Sequence, residues 1–145
     1  MRMHDPKSNW ASQTILVVED ADSVRKLVCA MLTQTGYNCL EAADGAEALR
    51  VLEDGGDVQL VLTDMMMPNM DGAELARNLS RIRPELRILF MSGYTEDPVV
   101  RSLGAASRLF LSKPFTATAL TEKVRGALDR PWPGLSDLQA GSSAA

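Results

Sequence analysis

Ile15-Leu16-Val17-Val18-Glu19-Asp20 is a short apolar run that ends in two carboxylates. A continuous apolar run without polar alternation is typical of a strand buried on both faces of a sheet. The segment after it carries apolar side chains at helical spacing as far as Gly36, with Asp22 as the predicted N-cap. The chain is therefore predicted to begin with a strand followed by a helix.

The same pattern of a strand and a helix recurs four more times along the chain. Further strands are predicted at 37–42, 58–63, 88–91 and 109–111, and the helices after them carry apolar side chains around Leu52, Leu79, Leu103 and Val124. Strict alternation predicts an α/β, doubly wound fold, in which a five-stranded parallel sheet has five helices on its two faces. Ligands bind such sheets at the carboxyl ends of the strands.

Composition limits the classes of protein that fit. The chain has 145 residues, 46% of them apolar, and a net charge of −4, so we expect one domain that does not bind nucleic acid. No apolar run is long enough to cross a membrane, and the first ten residues have no signal-peptide core, so a cytoplasmic location is expected. In that compartment Cys29 and Cys39 are expected to be buried free thiols.

Both ends of the chain are predicted to be disordered. Residues 1–12 are polar and aperiodic, and residues 131–145 are a tail or linker rich in proline, glycine and serine. Trp132 within that tail is interpreted as an exposed aromatic side chain. The folded domain is therefore predicted to span residues 13–130.

Ionisable or hydroxyl side chains end four of the five predicted strands. Glu19 and Asp20 follow the first strand, Asp64 the third, Ser92 the fourth and Lys113 the fifth. The carboxyl ends of parallel strands meet at one edge of the sheet, so we expect these groups to converge.

Three converging carboxylates need a cation. At separations near 5 Å, each pair repels by about 3 kcal/mol at an effective dielectric constant near 20, and one lysine cannot offset this repulsion. Carboxylate and carbonyl oxygens suit Mg²⁺, which substrate phosphate oxygens often complete. In such a site Lys113 and Ser92 would bind phosphoryl oxygens, and an aspartate could accept a phosphoryl group as a nucleophile.

The motifs that carry these groups identify a family. They resemble the CheY-like receiver domain of two-component response regulators over residues 13–130. The resemblance, and not the strand pattern, implies the strand order 2-1-3-4-5. The matching motifs are Ile15-Leu16-Val17-Val18-Glu19-Asp20, Leu62-Thr63-Asp64-Met65-Met66-Met67-Pro68-Asn69-Met70-Asp71-Gly72, Met91-Ser92-Gly93 and Lys113-Pro114-Phe115.

The resemblance implies a role for each matching residue. Asp64 matches the phosphoacceptor, and Glu19 and Asp20 match the acidic pair that binds Mg²⁺. The main-chain carbonyl of Met66 matches a further metal ligand. Lys113 matches the family's lysine.

The resemblance also implies a switch. Ser92 matches the switch hydroxyl and Phe110 the switch aromatic, which rotates inward on phosphorylation. The face formed by the fourth helix, the fifth strand and the fifth helix then changes shape. The Lys113–Pro114 peptide bond matches a cis bond.

The implied function is that of a signalling phosphoacceptor, not an enzyme acting on a separate substrate, although it assists its own phosphorylation and dephosphorylation. The phosphoryl donor would be a histidine kinase or a histidine phosphotransfer protein, and Ala21, Val24 and Arg25 on the first helix are expected to contact it. The switched face would bind a downstream protein or a second copy of the chain.

Two alternatives stay open. The chain could be a single-domain response regulator or a receiver domain excised from a hybrid histidine kinase. A haloacid-dehalogenase-like phosphatase is a remote alternative, because that family needs a second aspartate two residues after the nucleophile, where this chain has Met66.

Overall fold

The sheet has five parallel strands in the order β2-β1-β3-β4-β5, as predicted. The computed structural model describes residues 13–93 and 110–132. The strands are β1 (Thr14–Val18), β2 (Asn38–Ala42), β3 (Leu60–Asp64), β4 (Arg87–Ser92) and β5 (Phe110–Ser112).

Four helices connect or follow these strands within the described residues. They are α1 (Asp22–Gln34), α2 (Gly45–Glu53), α3 (Gly72–Ile82) and α4 (Ala117–Asp129). Helix α4 is the fifth predicted helix. The fourth predicted helix, around Leu103, lies outside the described residues.

The core has two halves because successive strand residues point to opposite faces of the sheet. Leu16, Val61 and Phe90 pack against α2 and α3. Ile15 and Leu62 pack against α1 and α4 on the other face. Both faces of the central strands are therefore buried, as the unbroken apolar runs predicted.

Side-chain caps fix the starts of three helices. Asp44 accepts a hydrogen bond from the Glu47 amide at 2.8 Å, Asp71 accepts one from the Glu74 amide at 2.8 Å, and Thr116 accepts one from the Ala119 amide at 3.0 Å.

Helix α1 begins differently, and the prediction of Asp22 as its N-cap is wrong. Ala21 occupies the N-cap position without a side-chain hydrogen bond. Asp22 lies in the first turn, where its Oδ1 is 2.6 Å from Nη2 of Arg25. Asp22 therefore lies one residue too far into the helix to be its N-cap, and its carboxylate pairs with Arg25 instead.

The interpretation of Trp132 as an exposed side chain is also wrong. Its indole is half-buried against the α2–α3 half of the core, and Nε1 donates a hydrogen bond to the Pro84 carbonyl at 3.2 Å. The chain thus stays attached to the domain for at least two residues past 130. Within the described ranges, no helix has the length and apolar character needed to cross a membrane.

Candidate functional site

Three carboxylates converge at the carboxyl edge of the sheet, as the strand ends predicted. Glu19 and Asp20 directly follow β1, and Asp64 is the last residue of the neighbouring strand β3. One carboxylate oxygen from each residue lies within 4.8 Å of the other two. Glu19 and Asp64 are buried, whereas Asp20 is exposed at the mouth of the cluster.

Lys113, which directly follows β5, also lies in this cluster. Its Nζ is 3.1 Å from Oε1 of Glu19 and 3.4 Å from Oδ2 of Asp64. Its backbone amide donates to the carbonyl of Ser92 at 2.9 Å, which continues the β4–β5 pairing into the site. The Lys113–Pro114 peptide bond is cis, as predicted.

The pKa of Glu19 is raised above its ordinary value. Burial of the side chain is the main cause, and the charge of Asp64 adds to it. A hydrogen bond from the Ala21 amide at 3.1 Å and the contact with Lys113 favour the ionised form but do not outweigh burial. This carboxylate is therefore held in an environment that disfavours its charge.

The pKa of Lys113 is also raised. Burial disfavours the ammonium, but the hydrogen bond to Glu19 and the negative charge of Asp64 outweigh that cost. Lys113 thus stays charged at neutral pH. One ammonium faces three carboxylates, so the fully ionised cluster has an excess of two negative charges.

Asp64 is positioned by a tight backbone turn. The Met66 amide lies 3.4 Å from Oδ1 of Asp64, and the Met66 side chain is 57% exposed at the rim of the site. A Cβ atom on Gly72 would lie 2.5 Å from the carbonyl oxygen of Asp64. Only glycine allows α3 to approach this closely, a role that sequence reasoning missed.

The two predicted switch residues lie on neighbouring strands. Ser92 ends β4 and is buried, and it pairs in register with Ser112 of β5. Phe110 begins β5 with an exposed fraction of 9%, and its ring stacks on that of Phe90 with centroids 5.1 Å apart. Phe110 therefore already occupies an inward position.

Arg25 is a residue that sequence reasoning placed wrongly. It was expected on the surface of the first helix, but its side chain is only 10% exposed. Nη1 donates to the carbonyl of Glu19 at 2.7 Å, and Nε donates to Glu41 of β2 at 2.9 Å. The signal was available, because position 25 falls on the buried helical stripe with Val28 and Leu32.

An apolar groove of about 420 Å³ runs beside the acidic cluster. One wall is α1, where Leu27 is 56% exposed, and the other is the segment after β5. The groove is lined by Val24, Leu27, Val28, Met31, Lys113, Pro114 and Phe115.

A comparison with known protein families agrees with this arrangement. The model of the response regulator receiver domain matches residues 15–125. The chain belongs to the receiver domain family of two-component response regulators. Receiver domains are signalling phosphoacceptors rather than classical enzymes, and they bind Mg²⁺ at an acidic pocket.

Two curated proteins and one solved structure are similar to this receiver domain. It is similar to the sensor kinase CckA of Brucella abortus, with 42% identity over 82% of this chain and 13% of CckA. It is also similar to the response regulator receiver protein CpdR of Brucella abortus, with 34% identity over 79% of this chain and 95% of CpdR. The response regulator TrrA of Thermotoga maritima, in complex with Mg²⁺–BeF, has a TM-score of 0.69 and 28% identity, covering 80% of this chain and 99% of TrrA.

Proposed function

We propose that this receiver domain accepts a phosphoryl group on Asp64 from a histidine kinase or a histidine phosphotransfer protein, with Mg²⁺ bound in the acidic cluster. The observation that carries the proposal is the position of the Asp64 carboxylate. It lies within 4.8 Å of two other carboxylates and 3.4 Å from an ammonium. Among the described residues Glu19 shares these surroundings, with Oε1 3.1 Å from the same ammonium, but it matches the acidic pair that binds the metal, whereas Asp64 matches the phosphoacceptor.

The donor set fits a hard divalent cation. Three carboxylates in one cluster, with an excess of two negative charges after Lys113, suit Mg²⁺ with oxygen ligands. We assign Glu19, Asp20, Asp64 and the main-chain carbonyl of Met66 as the residues that would hold it. The bound ion would neutralise charge on the transferring phosphoryl group. The complex of TrrA with Mg²⁺–BeF supports this assignment by similarity.

The chain's own residues supply the remaining chemistry. A carboxylate oxygen of Asp64 attacks phosphorus, the donor's N–P bond breaks, and the electron pair of that bond stays with the departing imidazole nitrogen. Lys113 binds one phosphoryl oxygen as a fixed positive charge, and the Ser92 hydroxyl donates to another. Their role is positioning and charge stabilisation, which is most of what phosphoryl transfer requires.

The proposed output is a change on the face that contains β5 and α4. Attraction of Ser92 to the phosphoryl group would favour the inward Phe110, which already stacks on Phe90. Because β4 and β5 pair through Ser92 and Ser112, a shift at Ser92 reaches β5 directly. The changed face would bind a downstream protein or a second copy of the chain.

The groove between α1 and the segment after β5 fits the donor. It is apolar, lies beside the site, and ends at Lys113, so a helix bearing the phosphohistidine could pack there with its side chain toward Asp64. Because histidine kinases draw phosphate from ATP, we propose a cytoplasmic location for this step. The similarity to CckA favours a second placement, in which this receiver is a part of a hybrid histidine kinase.

Phosphorylation with a small donor tests the proposal. The full chain is incubated with phosphoramidate and Mg²⁺, and its intact mass is measured. We expect one added phosphoryl group of about 80 Da, absent in Asp64→Asn and absent after chelation of the metal. Asp57→Asn is the matched control, because Asp57 is exposed and precedes β3, whereas the cluster lies at the opposite, carboxyl end of that strand. Labelling of Asp64→Asn at the rate of the wild type would refute the assignment.

A further inference from the structure

The two cysteines form a close pair outside the phosphoryl site. Sγ of Cys29 on α1 and Sγ of Cys39 on β2 are 2.7 Å apart, and both thiols are free. A disulfide bond is about 2.05 Å long, and nonbonded heavy atoms in contact lie about 3.5–4.0 Å apart. The sulfurs are therefore closer than ordinary packing requires, and phosphoryl transfer uses neither of them.

A second contact fixes the register of α1 along β2. Arg25 binds Glu41 at 2.9 Å, and one helical turn later Cys29 meets Cys39. Four helix residues advance about 6 Å, and two strand residues advance about 6.6 Å. The two contacts thus have matching spacing on antiparallel elements, so the sulfurs are held together by the fold itself.

The surroundings of the two thiols differ, which makes Cys29 the nucleophile and Cys39 the proton donor. The hydrogen bond from Cys39 lowers the pKa of Cys29, and the charges of Arg25 and Lys26 lower it further against the effects of burial and Glu41. The same hydrogen bond raises the pKa of Cys39, together with burial. Cys39 is half-buried on an edge strand, so a small oxidant in solvent can reach the pair.

We propose that Cys29 and Cys39 are a two-electron redox site that hydrogen peroxide converts reversibly to a disulfide between α1 and β2. The sulfur of Cys29 attacks a peroxide oxygen, the O–O bond breaks, and the leaving hydroxide takes a proton to form water. Cys39 loses its proton and its sulfur attacks the sulfenic sulfur of Cys29, which releases a second water. Two thiols and one peroxide thus give one disulfide and two waters, and a dithiol reductant reverses the change.

The disulfide would tie α1 to the edge strand on one flank of the helix. The groove beside the phosphoryl site lies on the other flank, lined by Val24, Leu27 and Met31. Oxidation would therefore restrain the helix that forms the groove without covering the groove or touching Asp64. It is expected to proceed equally in Asp64→Asn, which separates this inference from the proposed phosphotransfer.

Thiol counting by mass tests the inference. The full chain is treated with hydrogen peroxide, denatured, reacted with N-ethylmaleimide and weighed. We expect two maleimide adducts before oxidation, none after it with a mass about 2 Da lower, and two again after dithiothreitol. Cys29→Ser and Cys39→Ser should each fail to show the 2 Da loss.

Cys39→Ser keeps the test decisive, because position 39 is partly exposed and tolerates a polar atom. Retention of two adducts in the wild type after peroxide would overturn the inference. Disulfides that form only between chains, seen as dimers on a non-reducing gel, would also overturn it, as would direct conversion to sulfinic acid.

Discussion

Two regions, each built around a glutamate, handle charge in opposite ways. At the carboxyl edge of the sheet, Glu19 shares one ammonium with two further carboxylates, and its pKa is raised. On the flank between α1 and β2, Glu41 faces Arg25 and Lys26, and its pKa is lowered, chiefly by the hydrogen bond from Arg25. The side chain is the same, but its surroundings reverse the sign of the shift.

The difference separates a structural region from a functional one. The flank has no net charge, since Asp22 and Glu41 balance the charges of Arg25 and Lys26. The edge keeps an excess of negative charge that costs folding free energy and that a bound dication would remove. Excess like charge at one edge of a sheet is therefore a better indication of the site than any single residue there.

Loss of a carboxylate at the edge should have the largest effect. We expect Asp20→Asn to weaken Mg²⁺ binding at least about 10–100-fold, because loss of an outer ligand costs this much and the proposed direct ligand should matter no less. Isothermal titration calorimetry measures this, with Asp57→Asn as the control. Unchanged affinity in Asp20→Asn would remove Asp20 from the site.

Replacement of Arg25 on the flank should have the next largest effect. Arg25→Leu is expected to lower the free energy of unfolding by about 2–3 kcal/mol, because it removes the shorter of the two ion pairs of Glu41 and leaves a buried Glu19 carbonyl without its donor. Lys26 is exposed, and its Nζ lies 3.5 Å from Oε1 of Glu41. Lys26→Met should therefore change the free energy of unfolding by less than about 0.5 kcal/mol. Urea unfolding checks both variants, and equal losses would contradict the comparison.

Neutralising Glu19 should stabilise the metal-free protein. The gain in the free energy of unfolding should be smaller than the loss caused by Arg25→Leu. Because the folded-state pKa of Glu19 exceeds its unfolded value, ionisation costs stability as pH rises through the folded-state pKa. The gain from Glu19→Gln should be present at pH 7, shrink as pH falls, and reverse when Mg²⁺ is added. Urea midpoints with and without chelator test this. A loss of stability in the metal-free variant at pH 7 would show that the carboxylate is not disfavoured there.

Neutralising Glu41 should have the smallest effect and the opposite sign. Its folded-state pKa is lowered, so its contribution is present above the unfolded pKa and is lost as pH falls through the folded one. We expect Glu41→Gln to cost less than about 1 kcal/mol at pH 7, because the side chain is 38% exposed. The difference from wild type in urea unfolding should vanish in acid, and a difference that grew there would contradict the assignment.

The sequence predicted the sheet and the converging side chains because both follow from local patterns. Unbroken apolar runs located the strands, and the residues ending those runs are the ones that meet at the edge. The helical stripe indicates that Arg25 is buried but not that it binds Glu19 and Glu41, and no local pattern shows that Gly72 must lie against Asp64, because these contacts depend on the folded structure. The prediction of the α1 cap failed for a different reason: the helix begins one residue earlier than the pattern suggested, so Asp22 lies in its first turn and pairs with Arg25 three residues later.

The contact between Lys113 and Glu19 joins residues 94 positions apart. During synthesis the acidic pair and Asp64 leave the ribosome well before the lysine does. A nascent chain therefore holds its carboxylates without their counter-ion until β5 has been made. The acidic cluster is therefore complete only after the residue that follows β5 has been synthesised.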